Sequence, residues 1–255
     1  MLILITLFVL GFLLGLTGAG GAGVVIAVLT AAFGVPIHLA LGTSLSAMTF
    51  TTLSGAVSHF REGNVRIRTG AAVGVFGAAG AFTGAKIAAM IPAADLHWFT
   101  GGMMLLSMAL MYLRLYHPQS GPFAYVGTTE LEGGSRFWLT AVPAGFVVGC
   151  LSGTFGIGAT PFIQLVLLIL FGLPLPVAIG TTMMVILPIA VFGGLGYLLE
   201  GNLDFTLFIQ VVAGLMTGAY IGAKFTRRIP QKVLKVVMTI IPGIGALFRI
   251  MSVVP

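Results

Sequence analysis

Of 255 residues only 7% are charged and 58% are hydrophobic, and the mean hydropathy is +1.13, a composition that a soluble domain of this size cannot carry on its surface. The net charge of +6 is not a nucleic-acid footprint, because the twelve Lys and Arg residues sit in short connections between apolar segments instead of along one face. The single cysteine, Cys150, excludes an internal disulfide and a Cys-based metal cluster, and reads as a small packing residue.

In chain order, apolar segments fall at about 2–16, 22–33, 37–59, 70–90 and 96–114. A polar stretch at 115–136, with Pro118, Gly121, Pro122, Glu130, Glu132, Gly133 and Gly134, shows no apolar period and reads as a linker. Further apolar segments follow at about 137–150, 159–171, 175–199, 205–224 and 233–250. The first segment has neither a basic leader nor a small-residue cleavage site, so it is expected to persist in the mature protein. The spacing predicts an all-α integral membrane protein, with the bilayer as solvent and no separate soluble domain.

The two blocks are copies of one design. At an offset of 138, Ala40-Leu41-Gly42-Thr43-Ser44 matches Ala178-Ile179-Gly180-Thr181-Thr182, and Glu62-Gly63-Asn64 matches Glu200-Gly201-Asn202. Gly84-Ala85-Lys86 matches Gly222-Ala223-Lys224, and Pro36 and Pro92 fall on Pro174 and Pro230. Upstream the offset shortens to 135, pairing Gly18, Gly21 and Gly23 with Gly153, Gly156 and Gly158. The expected organisation is a repeat over 1–114, a linker over 115–136 and a second repeat over 137–255.

The last three segments of each copy are long enough to cross about 30 Å of hydrocarbon, whereas arms of about 12–15 residues are not. Each short pair is interrupted by a glycine-rich turn, Thr17-Gly18-Ala19-Gly20-Gly21-Ala22-Gly23 or Ser152-Gly153-Thr154-Phe155-Gly156-Ile157-Gly158. The pairs 2–33 and 137–171 are therefore read as re-entrant hairpins. With returning hairpins, Arg61, Arg66, Arg68, Arg114, Arg136, Lys224, Arg227, Arg228, Lys232 and Lys235 share one face, as cytoplasmic loops should. Single broken crossings would put the basic loop at 226–235 opposite Arg61–Arg68. Three crossings plus a hairpin make the second copy start on the opposite side, so the repeats are expected to be inverted, with a cytoplasmic linker and both termini outside.

Non-helical backbone deep in a membrane survives where it is buried in protein or lines a watery path, so the hairpin tips are the leading site candidates. Thr160-Pro161 has the form of an N-cap and first helical residue, which would aim free N–H groups of a half-helix at an anion. The candidate substrate-binding residues are Thr17, Gly18, Gly20, Gly21 and Gly23 at the first tip, and Ser152, Gly153, Thr154, Gly156, Gly158 and Thr160 at the second. Gln164 on the second half-helix, Thr43 with Ser44, and Thr181 with Thr182 join them as polar groups inside apolar segments. Serine and threonine there also bond commonly to the carbonyl one turn back, and the glycines equally serve close packing. His38 and His59, near span ends, are the candidates for proton relay, against a plain interfacial role. Lys86 and Lys224 read as snorkelling side chains, Gly70, Gly74, Gly80, Gly84, Gly214, Gly218 and Gly222 as packing faces, and Pro188 as a kink.

The glycine-rich opening Gly15–Gly23, the Leu41-Gly42-Thr43-Ser44 segment, the second-copy run Gly149–Ala159 and the Gly-Asn turns at 63–64 and 201–202 together resemble the sulfite exporter TauE/SafE family of bacterial membrane permeases. The resemblance implies a multi-pass protein of the bacterial inner membrane. It also implies export, driven by an ion gradient with H+ the expected coupling ion, of sulfite, sulfoacetate or a related organosulfonate. The expected partners are thus a small anion and membrane lipid, with no nucleic acid, cofactor or metal; sequence leaves the oligomeric state open. The competing readings are a passive anion channel on the same scaffold, a carrier of carboxylate anions, and an intramembrane hydrolase using Ser152 with His38 or His59. The hydrolase lacks a Gly-x-Ser-x-Gly elbow.

Overall fold

The computed structural model describes residues 2–17, 22–116, 131, 133–156 and 160–225, with 229–230, 232–233, 235–237, 239–240 and 243–244 beyond them. The described residues form helices α1 (Leu2–Thr17), α2 (Ala22–Phe33), α3 (Ile37–Arg61), α4 (Ile67–Met90), α5 (Ala93–Tyr116), α6 (Ser135–Phe155), α7 (Thr160–Ile169), α8 (Leu175–Leu199) and α9 (Phe205–Phe225), and among them there is no strand. Five helices, α4, α5, α6, α8 and α9, are long and apolar enough to cross a membrane. Large side chains such as Val75, Met90, Leu139, Leu199, Phe205 and Ile209 are exposed on their outer faces, the surface that hydrocarbon covers in a membrane protein. Most of the expected last span, 233–250, and most of the linker lie outside the described residues.

The short elements follow the expectation in α1, α2 and α7, of 16, 12 and 10 residues. At 1.5 Å per residue they reach about 24, 18 and 15 Å, too short for the hydrocarbon core. The first arm of the second hairpin differs. Instead of ending near 150, α6 continues through Leu151–Phe155 and runs for 21 residues, so Ser152, Gly153 and Thr154 are helical. What ends it is Gly156, at φ 62°, whose N–H donates to the Ser152 carbonyl at 2.8 Å. A left-handed residue at this position is the usual helix stop, and glycine takes it without Cβ strain. Likewise Gly23, expected in the first turn, lies inside α2, and α7 starts on Thr160 itself.

Packing exchanges elements between the two copies. Helix α1 of the first copy packs on α9 of the second, and α6 of the second packs on α4 of the first. Both seams are built on small residues. A methyl on Gly11 would come within 2.8 Å of the Leu215 Cα, and one on Gly149 within 2.7 Å of the Gly77 Cα and carbonyl carbon. In a membrane, where burying apolar side chains gains nothing over lipid, such backbone approach supplies the dispersion contact that holds helices together. At the centre α3 lies along α8, with Gly193 against Leu45, Gly194 against Ser46 and Gly55 against Met183. Ascending positions on one helix meet descending positions on the other, so these equivalent helices are antiparallel.

The two copies also dock reciprocally. The Asn202 carbonyl fills the space beside Gly42, and the Asn64 carbonyl fills the space beside Gly180, leaving no room for a Cβ on either glycine. Each Glu-Gly-Asn turn thus closes over the Gly-Thr segment of the other copy. Its glycine, Gly63 or Gly201, holds φ 71° or 73°, a conformation that strains other L-residues.

Candidate substrate site

Helix α3 carries the polarity that its neighbours lack. Thr43, Ser44, Thr51, Thr52, Ser54, Ser58 and His59 are all buried along it. Thr51 and Thr52 donate to the carbonyls of Ala47 and Met48 one turn back, at 3.1 and 2.6 Å. Thr43 Oγ1 and Ser44 Oγ are fully buried with no hydrogen-bond partner among the described residues. Their counterparts on α8 are engaged: Thr181 Oγ1 accepts the Arg66 N–H at 3.0 Å, and Thr182 Oγ1 donates to the Ala178 carbonyl at 2.7 Å. The paired hydroxyls expected to act alike are therefore unlike, and only the first pair keeps its bonding capacity open.

The second tip lies against this stretch of α3. Gly156 is packed on the Leu41 and Ile26 side chains, so α2 and α3 of the first copy cover the turn of the second. Phe155 shares an apolar cluster with Val24, in the first turn of α2, and its ring lies tilted against that of Phe99 of α5, with centroids 6.3 Å apart. The start of α2 and the end of α6 are thereby brought together. Ser152 is fully buried and its Oγ has no partner among the described residues. Thr154, 8% exposed, sits beside Gly84 of α4. Thr160 and Gln164 on α7 are buried. Gly18, Gly20, Gly21, Gly158 and the Thr17 side chain lie outside the described residues. Recesses bordered by described residues lie away from the tip: about 440 Å³ between α6 and α7 around Pro143 and Val166, about 390 Å³ beside Phe60 and Met184, about 380 Å³ at the start of α4, and about 230 Å³ between α3, α8 and α9.

Sequence reasoning missed Tyr197. This residue of α8 is fully buried, and its hydroxyl donates to the Gly153 carbonyl at 2.9 Å. Gly153 is three residues from the end of α6, so its carbonyl is among those the helix leaves without an internal partner. Its Cβ also lies against Gly42, so one side chain links α8, the α6 end and the Gly42-Thr43-Ser44 segment. The signal was present in the repeat: at offset 138 Tyr197 falls on His59, a second ring with polar atoms at the equivalent position of the other copy. His59 is fully buried, unlike the interfacial residue its place near a span end suggested. His38, in the first turn of α3, is half-buried, and its Nε2 has no hydrogen-bond partner among the described residues. Lys86 and Lys224 are exposed and lie over Phe82 and Tyr220, at 5.0 and 4.4 Å, an arrangement repeated in both copies and suited to the membrane edge. Among the described residues no group of His, Cys, Asp or Glu side chains could hold a metal ion.

Five helices of membrane length, shorter apolar helices beside them and buried polar side chains between them define a multi-pass membrane protein. The chain belongs to the sulfite exporter TauE/SafE family, whose model matches residues 3–248. It is 50% identical to the "Probable membrane transporter protein YdhB" of Bacillus subtilis, over 97% of this chain and 98% of that one. A second protein of Bacillus subtilis, "Probable membrane transporter protein YunE", is 26% identical over 93% of both chains. A "Probable membrane transporter protein" of Xylella fastidiosa is 27% identical over 86% of this chain and 81% of its own. No solved structure matches. The protein is a membrane transporter, and nothing in these relatives' names points to an enzyme.

Proposed function

We propose that the protein is a secondary transporter that exports a small anion, sulfite or an organosulfonate such as sulfoacetate, from the bacterial cytoplasm by alternating access between two inverted repeats. The antiparallel course of α3 and α8 supports inversion, because equivalent helices run antiparallel when the two-fold axis lies in the membrane plane. The linker at 115–136 is then cytoplasmic and both termini are outside, as the basic loops require.

The observation that carries the reading is the set of buried hydroxyls without partners among the described residues, Thr43 and Ser44 on α3 and Ser152 on α6, two segments that Tyr197 links through Gly42 and the Gly153 carbonyl. Polar groups left unbonded in a dry interior are costly, and anionic substrate oxygens would satisfy all three. In this reading the N-terminus of α7, at Thr160, contributes a partial positive charge to the anion site. In this conformation Leu41 and Ile26 cover the turn, which corresponds to an occluded site that opens as the copies rock. His38 and His59 are the groups proposed to carry protons, with H+ as coupling ion.

The test is uptake of radiolabelled sulfite or sulfoacetate by proteoliposomes with and without an imposed pH gradient. Accumulation above equilibrium is expected only with the gradient. Ser152→Ala and Thr17→Val are expected to weaken it about fivefold each, the equivalent of one hydrogen bond of about 1 kcal/mol. Flux that the gradient cannot drive uphill identifies a channel instead, and unchanged transport in both variants rejects the tip residues as ligands.

A further inference from the structure

The repeat exposes a difference between two equivalent helix starts. Helix α9 is capped from within: Asp204 Oδ1 accepts the N–H groups of Thr206 and Leu207 at 2.8 and 2.9 Å. At offset 138 the residue before α4 is Arg66. It is extended, at φ −92° and ψ 93°, and its side chain makes no capping bond. Where one copy supplies its helix with an anion, the other supplies a cation, and the first N–H groups of the 24-residue α4 have no carboxylate from that position.

Two further observations mark the place as a ligand site. A recess of about 380 Å³, about half polar in lining, opens there between Arg66, Arg68, Thr69 and the apolar Leu131 and Leu173. Thr69, only 6% exposed, borders it and makes no hydrogen bond among the described residues. Arg68 is held over the Phe137 ring at 5.2 Å, which keeps its guanidinium at the rim. The recess also shares Val65 and Ile67 with a second, almost wholly apolar groove of about 390 Å³, walled by Val57, Phe60 and Met184 and ending at Arg61. Phe60 and Ile67 are more than half exposed on this lipid-facing surface.

We propose that these adjoining hollows bind one phospholipid with an anionic headgroup. Its phosphate sits at the α4 N-terminus between Arg66, Arg68 and the Thr69 hydroxyl, and an acyl chain lies along the Val57–Phe60–Met184 groove. A helix start that its own N-cap side chain leaves uncapped and two guanidinium groups attract the charge, and the joined apolar groove selects a lipid over a soluble oxyanion. The site is distinct from the tip hydroxyls and stands whether or not the transported anion is sulfite.

Native mass spectrometry of the full chain in detergent, with phosphatidylglycerol and phosphatidylcholine in competition, tests it. The expected result is a preference of about tenfold for phosphatidylglycerol. Arg66→Asp, which gives α4 the cap that α9 has, is expected to bring the preference near unity while the melting midpoint holds or rises; Thr69→Val is expected to reduce it a few-fold. Short-chain phosphatidylglycerol should bind far more weakly than the long-chain lipid. Equal binding of the two lipids, or a preference that survives Arg66→Asp, overturns the site. Displacement of phosphatidylglycerol by an equal concentration of glycerol 3-phosphate overturns the lipid assignment in favour of a soluble anion. Should Arg66→Asp fail to fold, Arg66→Asn, a neutral cap, is read by the same criteria.

Discussion

Gly149→Ala is expected to destabilise the folded protein by about 1–3 kcal/mol, whereas the same substitution at Gly102 leaves stability unchanged or slightly raised. A methyl at 149 overlaps the Gly77 carbonyl oxygen and comes within 2.7 Å of two further backbone atoms of that residue. Backbone has no rotamer to yield, so α6 and α4 must separate along a seam that also includes Gly145, Gly153, Gly80 and Gly84. The loss spreads over the contact between the two copies, and lipid gives no compensating hydrophobic gain. Gly102 has nothing within 4 Å of a Cβ, so alanine there gains helix propensity at no steric cost. Size-exclusion melting curves of the two variants in one detergent give the comparison. Equal midpoints would mean that the α4–α6 seam does not hold the copies together.

That seam explains one place where sequence and structure part. The run Ser152–Gly158 reads as a single glycine-rich turn, yet its glycines do different work. Gly153 is a packing residue inside α6, with the Ala81 carbonyl where its side chain would be, and Gly156, in the left-handed conformation, ends the helix. Local sequence cannot separate the two duties, because the distinction depends on a helix about 70 positions earlier. The helical nature of the protein and the short helices α1, α2 and α7 were legible, since they follow from apolar length, whereas α6 outran the short arm expected there.

The site was legible in residue type more than in arrangement. Leu41-Gly42-Thr43-Ser44 and Glu200-Gly201-Asn202 were visible as repeated motifs, but nothing in either announces that one docks on the other. Nor does the repeat reveal that Thr181 and Thr182 satisfy backbone groups while Thr43 and Ser44 do not. Thr181 accepts the backbone N–H of Arg66, whereas no equivalent bond from the Asp204 N–H reaches Thr43 among the described residues.

The second large effect is expected at Tyr197. Tyr197→Phe removes one oxygen and leaves the Gly153 carbonyl buried without its donor, a cost of about 1–3 kcal/mol, since the dry surroundings offer no water in exchange. The ring still fills the space beside Gly42, so the helices stay packed and the change falls on the end of α6, which becomes free to shift. Transport is expected to fall about tenfold in maximal rate with less effect on KM, because the hydroxyl positions the tip without touching substrate. A cysteine introduced at Ser152, with Cys150 replaced by alanine, provides a readout independent of substrate. Its reaction with a charged thiol reagent is expected to be slow when Tyr197 is present and several-fold faster in the Tyr197→Phe background. A variant that melts earlier but transports normally and leaves position 152 equally protected would reduce Tyr197 to a packing residue. A lost maximal rate with faster labelling would make it the latch of the second hairpin.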